Sequence, residues 1–122
     1  MADYLPKFTP GQAVTFTAGA TAVVGGRLVE LSTANTVVPA GADSAKVIGV
    51  AGFDAKTGEH VTVYTRAGGI HRLVASAAIA VGAKVIAAAD GEIATIGAGA
   101  NPVGIALTAA TDDQDVIDVL FI

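Results

Sequence analysis

Acidic side chains near the end of the sequence form its densest group of candidate metal ligands. They are Asp112, Asp113, Asp115 and Asp118. Carboxylate oxygens suit Ca²⁺, but the spacing of these residues does not match the binding loop of an EF-hand. Asp118 alternates with apolar neighbours, which places it on the outer face of a predicted strand. We therefore interpret residues 112–115 as a solvated acidic turn and predict no metal site.

Two histidines and three serines are the other side chains with catalytic potential. His60 and His71 each lie in or beside a predicted strand, and no third ligand stands at a consistent spacing from them. None of the serines lies in the Gly-x-Ser-x-Gly turn of a hydrolase. These serines are Ser32, Ser44 and Ser76. The patterns predict no catalytic residue, and we do not expect an enzyme.

A glycine-rich segment, residues 97–102, superficially resembles a phosphate-binding loop. No Gly-Lys-Ser or Gly-Lys-Thr follows it, and Pro102 removes a backbone donor. We interpret the segment as a flexible connection between strands, and we expect no cofactor.

Composition excludes several classes of partner. The chain has 122 residues, no Cys and a formal net charge of −4, and its seven Lys and Arg residues are scattered singly. Since no basic stripe is available to neutralise phosphates, we predict no nucleic-acid partner. The most apolar run, residues 73–89, is interrupted by Gly82 and Lys84, and the N-terminal segment lacks the apolar core of a signal peptide. We therefore expect no membrane partner and synthesis in the cytoplasm.

Short apolar runs predict an all-β fold. Runs rich in Val, Ile and Thr are separated by Gly, Pro, Asn and Asp clusters about every ten residues, which is typical of many short strands. Residues 27–31 and 61–65 alternate as half-buried strands do, whereas residues 47–51 are apolar throughout and favour burial on both faces. The pair Asp90-Gly91 between two apolar runs predicts a hairpin, because both residues tolerate positive φ.

An Ala-rich stretch, residues 75–89, also favours a helix, because Ala is the best helix former. Gly82, the β-branched residues and the missing polar face at a helical period argue against that interpretation. One short helix near residues 75–80 remains an alternative.

The sequence repeats itself at a nearly constant offset. Residues 24–29 correspond to 81–86 at an offset of 57, residues 49–51 to 104–106 at 55, and residues 61–64 to 117–120 at 56. Two copies are too few for a solenoid, so we predict that both halves close into one small β-barrel or sandwich without exposed strand edges. The halves span about residues 15–66 and 72–122 of a single β domain, residues 13–122.

Residues 1–12 lie outside the repeat and predict an extended N-terminal arm. Its prolines at positions 6 and 10 disfavour a helix, and its large apolar side chains suit docking along a neighbouring subunit or a sheet edge. The expected anchors are Tyr4, Leu5, Pro6 and Phe8. An ordinary first strand folded onto its own barrel is the alternative.

Several segments resemble the small head decoration, or capsid cement, proteins of tailed bacteriophages. The resemblance is carried by residues 47–51, 57–63, 79–85, 90–93 and 102–107, followed by a terminal strand. These segments are turn glycines and apolar runs, and the likeness covers nearly the whole chain after about residue 12. The sequence departs from the family pattern at residues 112–115, where a short Ala-Gly turn is typical.

This resemblance implies a structural protein that assembles as a homotrimer on the outer surface of the virion. It implies binding to the major capsid protein at three-fold and quasi-three-fold positions and stabilisation of the expanded shell. The capsid-binding surfaces would then be one barrel face and the arm, through Tyr4, Leu5, Pro6 and Phe8. The alternative function is a small all-β binding module, such as a tail or adhesion domain that recognises a glycan or a protein edge.

Overall fold

The computed structural model describes residues 12–66 and 68–122 and shows an all-β molecule. In chain order the strands are β1 Ala13–Ala18, β2 Leu28–Thr33, β3 Thr36–Pro39, β4 Val47–Ala51, β5 His60–Thr65, β6 Ile70–Val74, β7 Lys84–Ala87, β8 Ile93–Thr95, β9 Gly104–Ala106 and β10 Val116–Phe121. Among the described residues, one 3-10 turn, Ala89–Gly91, lies between β7 and β8. The predicted all-β fold is confirmed.

The first half of the chain, residues 13–66, forms a closed barrel in the order β1-β3-β2-β4-β5. β1 runs antiparallel to β5 and closes the barrel through a short parallel pairing with β3, where Thr17 and Ala18 face Thr36 and Val37. Alternate strand residues, together with Val23 and Ala55 of the loops, point inward and fill the barrel with small aliphatic side chains. These are Ala18, Val23, Val29, Val37, Ala51, Ala55, Val61 and Val63.

The second half, residues 68–122, forms a five-stranded sheet in the order β6-β10-β9-β7-β8. Its strands have the same neighbours as their counterparts in the barrel, with β7–β8 in the place of the β2–β3 hairpin. Only the closing pair differs, because the β1–β3 pairing is reduced here to a single parallel bridge between Ala75 and Ile93. The prediction of one barrel closed by both halves is wrong, since each half pairs only its own strands.

Two equivalent glycines show the duplication at atomic detail. A Cβ at Gly49 in β4 would overlap the carbonyl oxygen of Tyr64, and a Cβ at Gly104 in β9 would lie 2.5 Å from that of Leu120. The close approach of the neighbouring strand therefore requires glycine in both halves. The predicted tandem β-repeat is confirmed, but the predicted offset of 57 is wrong by one, because the strand register gives an offset of 56 for residues 26–29.

Local predictions agree with the strands. Residues 47–51 form β4, in which all side chains except Ile48 are buried. Asp90 and Gly91 form the hairpin turn between β7 and β8, with φ of 59° and 74°. No α-helix occurs among the described residues. None of these residues forms a helix that is long and apolar enough to cross a bilayer.

The two halves share one hydrophobic core. The outer side of the barrel contributes Leu28, Ala40, Val47 and Val50 to the same buried cluster as the inward-pointing residues of the second half. The Gly91 N–H donates a hydrogen bond to the Ala40 carbonyl at 2.9 Å. The Arg66 guanidinium donates to the carbonyls of Val47 in the first half, at 3.2 Å, and Pro102 in the second, at 3.1 Å. These contacts join the halves into one packed body.

Candidate interaction surfaces

The arm residues predicted to bind a capsid, Tyr4, Leu5, Pro6 and Phe8, lie outside the described residues. The surfaces below are therefore built from residues 12–66 and 68–122.

One end of the barrel is incompletely covered and is called the barrel mouth. The barrel mouth is formed by four apolar side chains that point toward the barrel interior. They are Val14, Phe16, Leu31 and Ile48. Leu31 is 37% exposed, and the other three are half-buried. Within the described residues, no strand pairs with the outer edge of residues 13–16, because β1 meets β3 only at Thr17 and Ala18. An open groove of about 370 Å³ lies along this edge.

A second apolar surface, called the outer row, crosses the outer side of the second sheet. Ile70, Leu120 and Ile105 stand opposite one another on β6, β10 and β9. Ile70 is 62% exposed, and its two neighbours are half-buried. The adjacent Arg72–Asp118 ion pair, at 3.7 Å, is exposed and contributes little stability.

Each half also carries a pair of exposed apolar residues on its loops, and these are called the loop tips. They are Val24 with Phe53 in the first half and Val81 with Leu107 in the second. The same backbone contact supports both, because the Gly26 N–H donates to Ala51 and the Gly82 N–H donates to Ala106, each at 2.8 Å. Each half therefore presents an apolar loop tip, but the tip residues are not at equivalent positions, because Val24 lies two residues before Gly26 and Val81 directly precedes Gly82.

The acidic turn at residues 112–115 is held by hydrogen bonds to one of its own carboxylates. The Asp115 carboxylate accepts hydrogen bonds from the N–H groups of Asp112, at 3.1 Å, and Thr111, at 2.9 Å. These bonds hold the pKa of Asp115 below its usual range. In the first half, Glu59 accepts the Lys56 N–H at 2.7 Å in the equivalent turn. The Asp115 carboxylate thus stabilises a turn, and no group of three or more potential ligands forms a metal site among the described residues.

The two histidines occupy different environments. His60 begins β5 and lines the groove beside β1. The ring of His71 lies between those of Tyr64 and Phe121, with centroid distances of 6.3 and 4.9 Å. Burial lowers the pKa of His71. His71 is thus part of the packing between the first and second halves.

The three serines take part in local or cross-strand hydrogen bonds. Ser76 donates to the Ile93 carbonyl at 3.1 Å, and Ser32 donates to that of Thr36 at 3.4 Å. Ser44 accepts the Lys46 N–H at 3.1 Å. These contacts give the serine side chains structural roles.

The sequence matches the phage cement protein family over residues 8–121. The chain belongs to this family. It is therefore a structural protein of the phage virion. No curated protein sequence matches the chain.

The cement protein is similar in structure to the crystal structure of the head fiber gp8.5 N base in bacteriophage phi29. The TM-score is 0.75 at 18% sequence identity, and the match covers 91% of this chain and 93% of the other. At this identity the likeness establishes a shared fold.

The polar connection between the halves of the cement protein was not predicted from the sequence. The Asp43 carboxylate accepts hydrogen bonds from the N–H groups of Ala100 and Asn101. The glycine-rich segment that we predicted to be a flexible connection is therefore tied to the barrel. Its amides do bind an anionic group, which is a side chain of the same protein.

The barrel mouth and the outer row of the cement protein were not predicted either. Alternation within a strand shows which residues share a face, but it does not show whether another element covers that face. The repeat was the one sequence signal that could have helped to find these two surfaces, because it identifies which strand faces of the two halves correspond to each other.

Proposed function

We propose that this cement protein binds the outer surface of a phage capsid as a homotrimer, at three-fold and quasi-three-fold positions, and stabilises the expanded shell. Its partner is the major capsid protein. The family match over residues 8–121 is the observation that carries the proposal.

Stabilisation of the shell follows from selective binding. A protein that binds the assembled lattice, and not its dissociated subunits, shifts the equilibrium toward the lattice by mass action. A symmetric assembly multiplies a modest contact, because its first attachment raises the effective concentration of the remaining binding groups. The role therefore requires exposed contact groups and no catalytic group.

The proposed capsid contacts are the arm and one face of a single β domain. In this assignment residues 1–12 are the arm, with Tyr4, Leu5, Pro6 and Phe8 as anchors, and residues 13–122 are the domain. Among the described residues, the loop tips support a further contact because they occur once in each half. A duplicated contact suits a lattice built from identical subunits.

Undecorated, expanded heads provide the direct test. Purified protein should co-sediment with them and raise the temperature at which they are disrupted. Heads incubated with a heat-denatured sample are the control. The absence of both co-sedimentation and a temperature shift would contradict the proposal, and saturable binding on a glycan array would then favour the alternative all-β binding module.

A further inference from the structure

The contact between the two halves joins unlike surfaces. The outer side of the barrel contributes Leu28 and Val50, which are 0% and 4% exposed. They belong to the same buried cluster as Leu73, Ala87 and Val103, which lie at the end of the second sheet. The outer side of one half therefore covers the end of the other.

The outer side of the second half has no such cover among the described residues. By strand register, Lys84 on β7 and Ile105 on β9 correspond to Leu28 and Val50. Lys84 is exposed and Ile105 is only half-buried. Ile105 belongs to the outer row, so the row includes the counterpart of Val50, whereas the counterparts of its other two residues are exposed in the first half.

The end of the second sheet is buried, whereas the corresponding end of the barrel is partly exposed. Leu73, Ala87 and Val103 are fully buried under the barrel. Their equivalents in the first half are Phe16, Leu31 and Ile48 of the barrel mouth. All three equivalents are larger or similar apolar side chains, yet Leu31 is 37% exposed and the other two are half-buried. Each of the two surfaces in the internal contact thus has a corresponding surface in the other half that nothing covers among the described residues.

We propose that these unpaired copies bind each other between molecules, so that the outer row of one chain covers the barrel mouth of a second copy. A second copy of this chain is the expected binding partner. Within one chain, the outer side of the first half already packs against the end of the second half, and these are the surfaces that correspond to the outer row and the barrel mouth. The inference rests on the self-association in the proposed function and names the surfaces that carry it.

The geometry of the contact determines the kind of assembly. Because the outer row and the barrel mouth are different surfaces, the contact is head-to-tail. Such a contact leaves one unused surface at each end of a dimer and generates a ring when the rotation closes. A closed ring would repeat the same type of contact within and between chains.

Charge placed on either surface tests the proposal. In sedimentation velocity, the wild type should form a discrete oligomer, and both Ile70→Lys and Leu31→Lys should weaken association about tenfold or more. Ala78→Lys is the control, since Ala78 is exposed and lies on neither surface and outside the loop tips. Circular dichroism should show that all three variants remain folded.

Mixing the variants tests the head-to-tail geometry. The outer row of Leu31→Lys and the barrel mouth of Ile70→Lys remain intact, so an equimolar mixture should form a 1:1 dimer. That dimer should not grow, because its remaining surfaces carry two lysines. A mixture that stays monomeric while both variants are folded would overturn the head-to-tail arrangement.

Separate readouts distinguish this inference from the proposed function. An oligomer that survives both substitutions overturns the inference alone, and an oligomeric wild type that does not bind heads contradicts the capsid role alone. A monomeric wild type also overturns the inference. Loss of head binding by Ile70→Lys would in that case assign the outer row to the capsid.

Discussion

The carboxylate of Asp43 accepts a hydrogen bond from the backbone N–H of Asn101 at 3.0 Å, and the Asn101 side-chain amide donates to the Asp43 carbonyl at the same distance. Asp43 lies between β3 and β4, and Asn101 lies between β8 and β9. Equivalent loops of the two repeats are therefore bound to each other beside the shared core.

Substitution of Asp43 should weaken the connection between the halves. In Asp43→Asn the carboxylate that accepts the N–H groups of Ala100 and Asn101 is replaced by an amide with one acceptor oxygen. We expect a lower Tm near neutral pH in thermal unfolding. Asp90→Asn is the matched control, because Asp90 has a similar φ, 59° against 51°, and its side chain makes no hydrogen bond among the described residues. Equal Tm values for the two variants would contradict the prediction.

The effect of Asp43 should depend on pH. Its hydrogen bonds hold its pKa below the ordinary value of 3.8. The stabilisation is therefore present above the unfolded-state pKa and is lost as the pH falls through the lower folded-state pKa. The Tm difference between wild type and Asp43→Asn should shrink in acid, and a difference that grows in acid would refute this assignment.

Two glycines with similar φ should differ in their tolerance of alanine. Gly26 and Gly91 have φ of 80° and 74°, but a Cβ at Gly26 meets open space, whereas one at Gly91 would overlap the Leu28 carbonyl. Gly26→Ala should cost about 1 kcal/mol of unfolding free energy from backbone strain alone. Gly91→Ala should cost more, because the hairpin must also move away from β2. Urea denaturation gives both values, and equal losses would contradict the structure.

His71 should make stability depend on pH above the range of the carboxylates. Burial lowers the His71 pKa from its ordinary value of 6.5. As the pH falls, His71 is therefore protonated in the unfolded chain before it is protonated in the folded protein. The free energy of unfolding decreases as the pH falls below about 6.5. His71→Gln should flatten the Tm profile between about pH 5 and 7, while His60→Gln should leave the His71 contribution in place. An unchanged profile in His71→Gln would be the contrary result.

Removal of the arm should separate folding from capsid binding. Deletion of residues 1–10 should leave the β domain folded and weaken binding to expanded heads by about tenfold or more, since apolar anchors carry much of the affinity at interfaces. A full-length variant with Tyr4→Ser, Leu5→Ser and Phe8→Ser should have the same effect. If both proteins fail to fold by circular dichroism, those residues belong to the core, as in the alternative of an ordinary first strand.

The amino-acid sequence by itself determined the all-β character, the tandem repeat and the hairpin at Asp90-Gly91. These features depend on local causes: strand periodicity, turn residues that accept positive φ, and glycines repeated at the same place in each half. Gly49 and Gly104, for example, were visible as a matched pair before their close strand contacts were known.

Only the tertiary structure decided which surfaces are covered and how the repeats close. Val50 and Ile105 occupy equivalent positions, yet Val50 is 4% exposed and Ile105 is half-buried, because only the first of them has another half packed over it. The same holds for Asp43, whose hydrogen-bond partners lie more than fifty residues away. Burial and long-range pairing depend on which surfaces meet in space, and the local pattern of a strand does not carry that information.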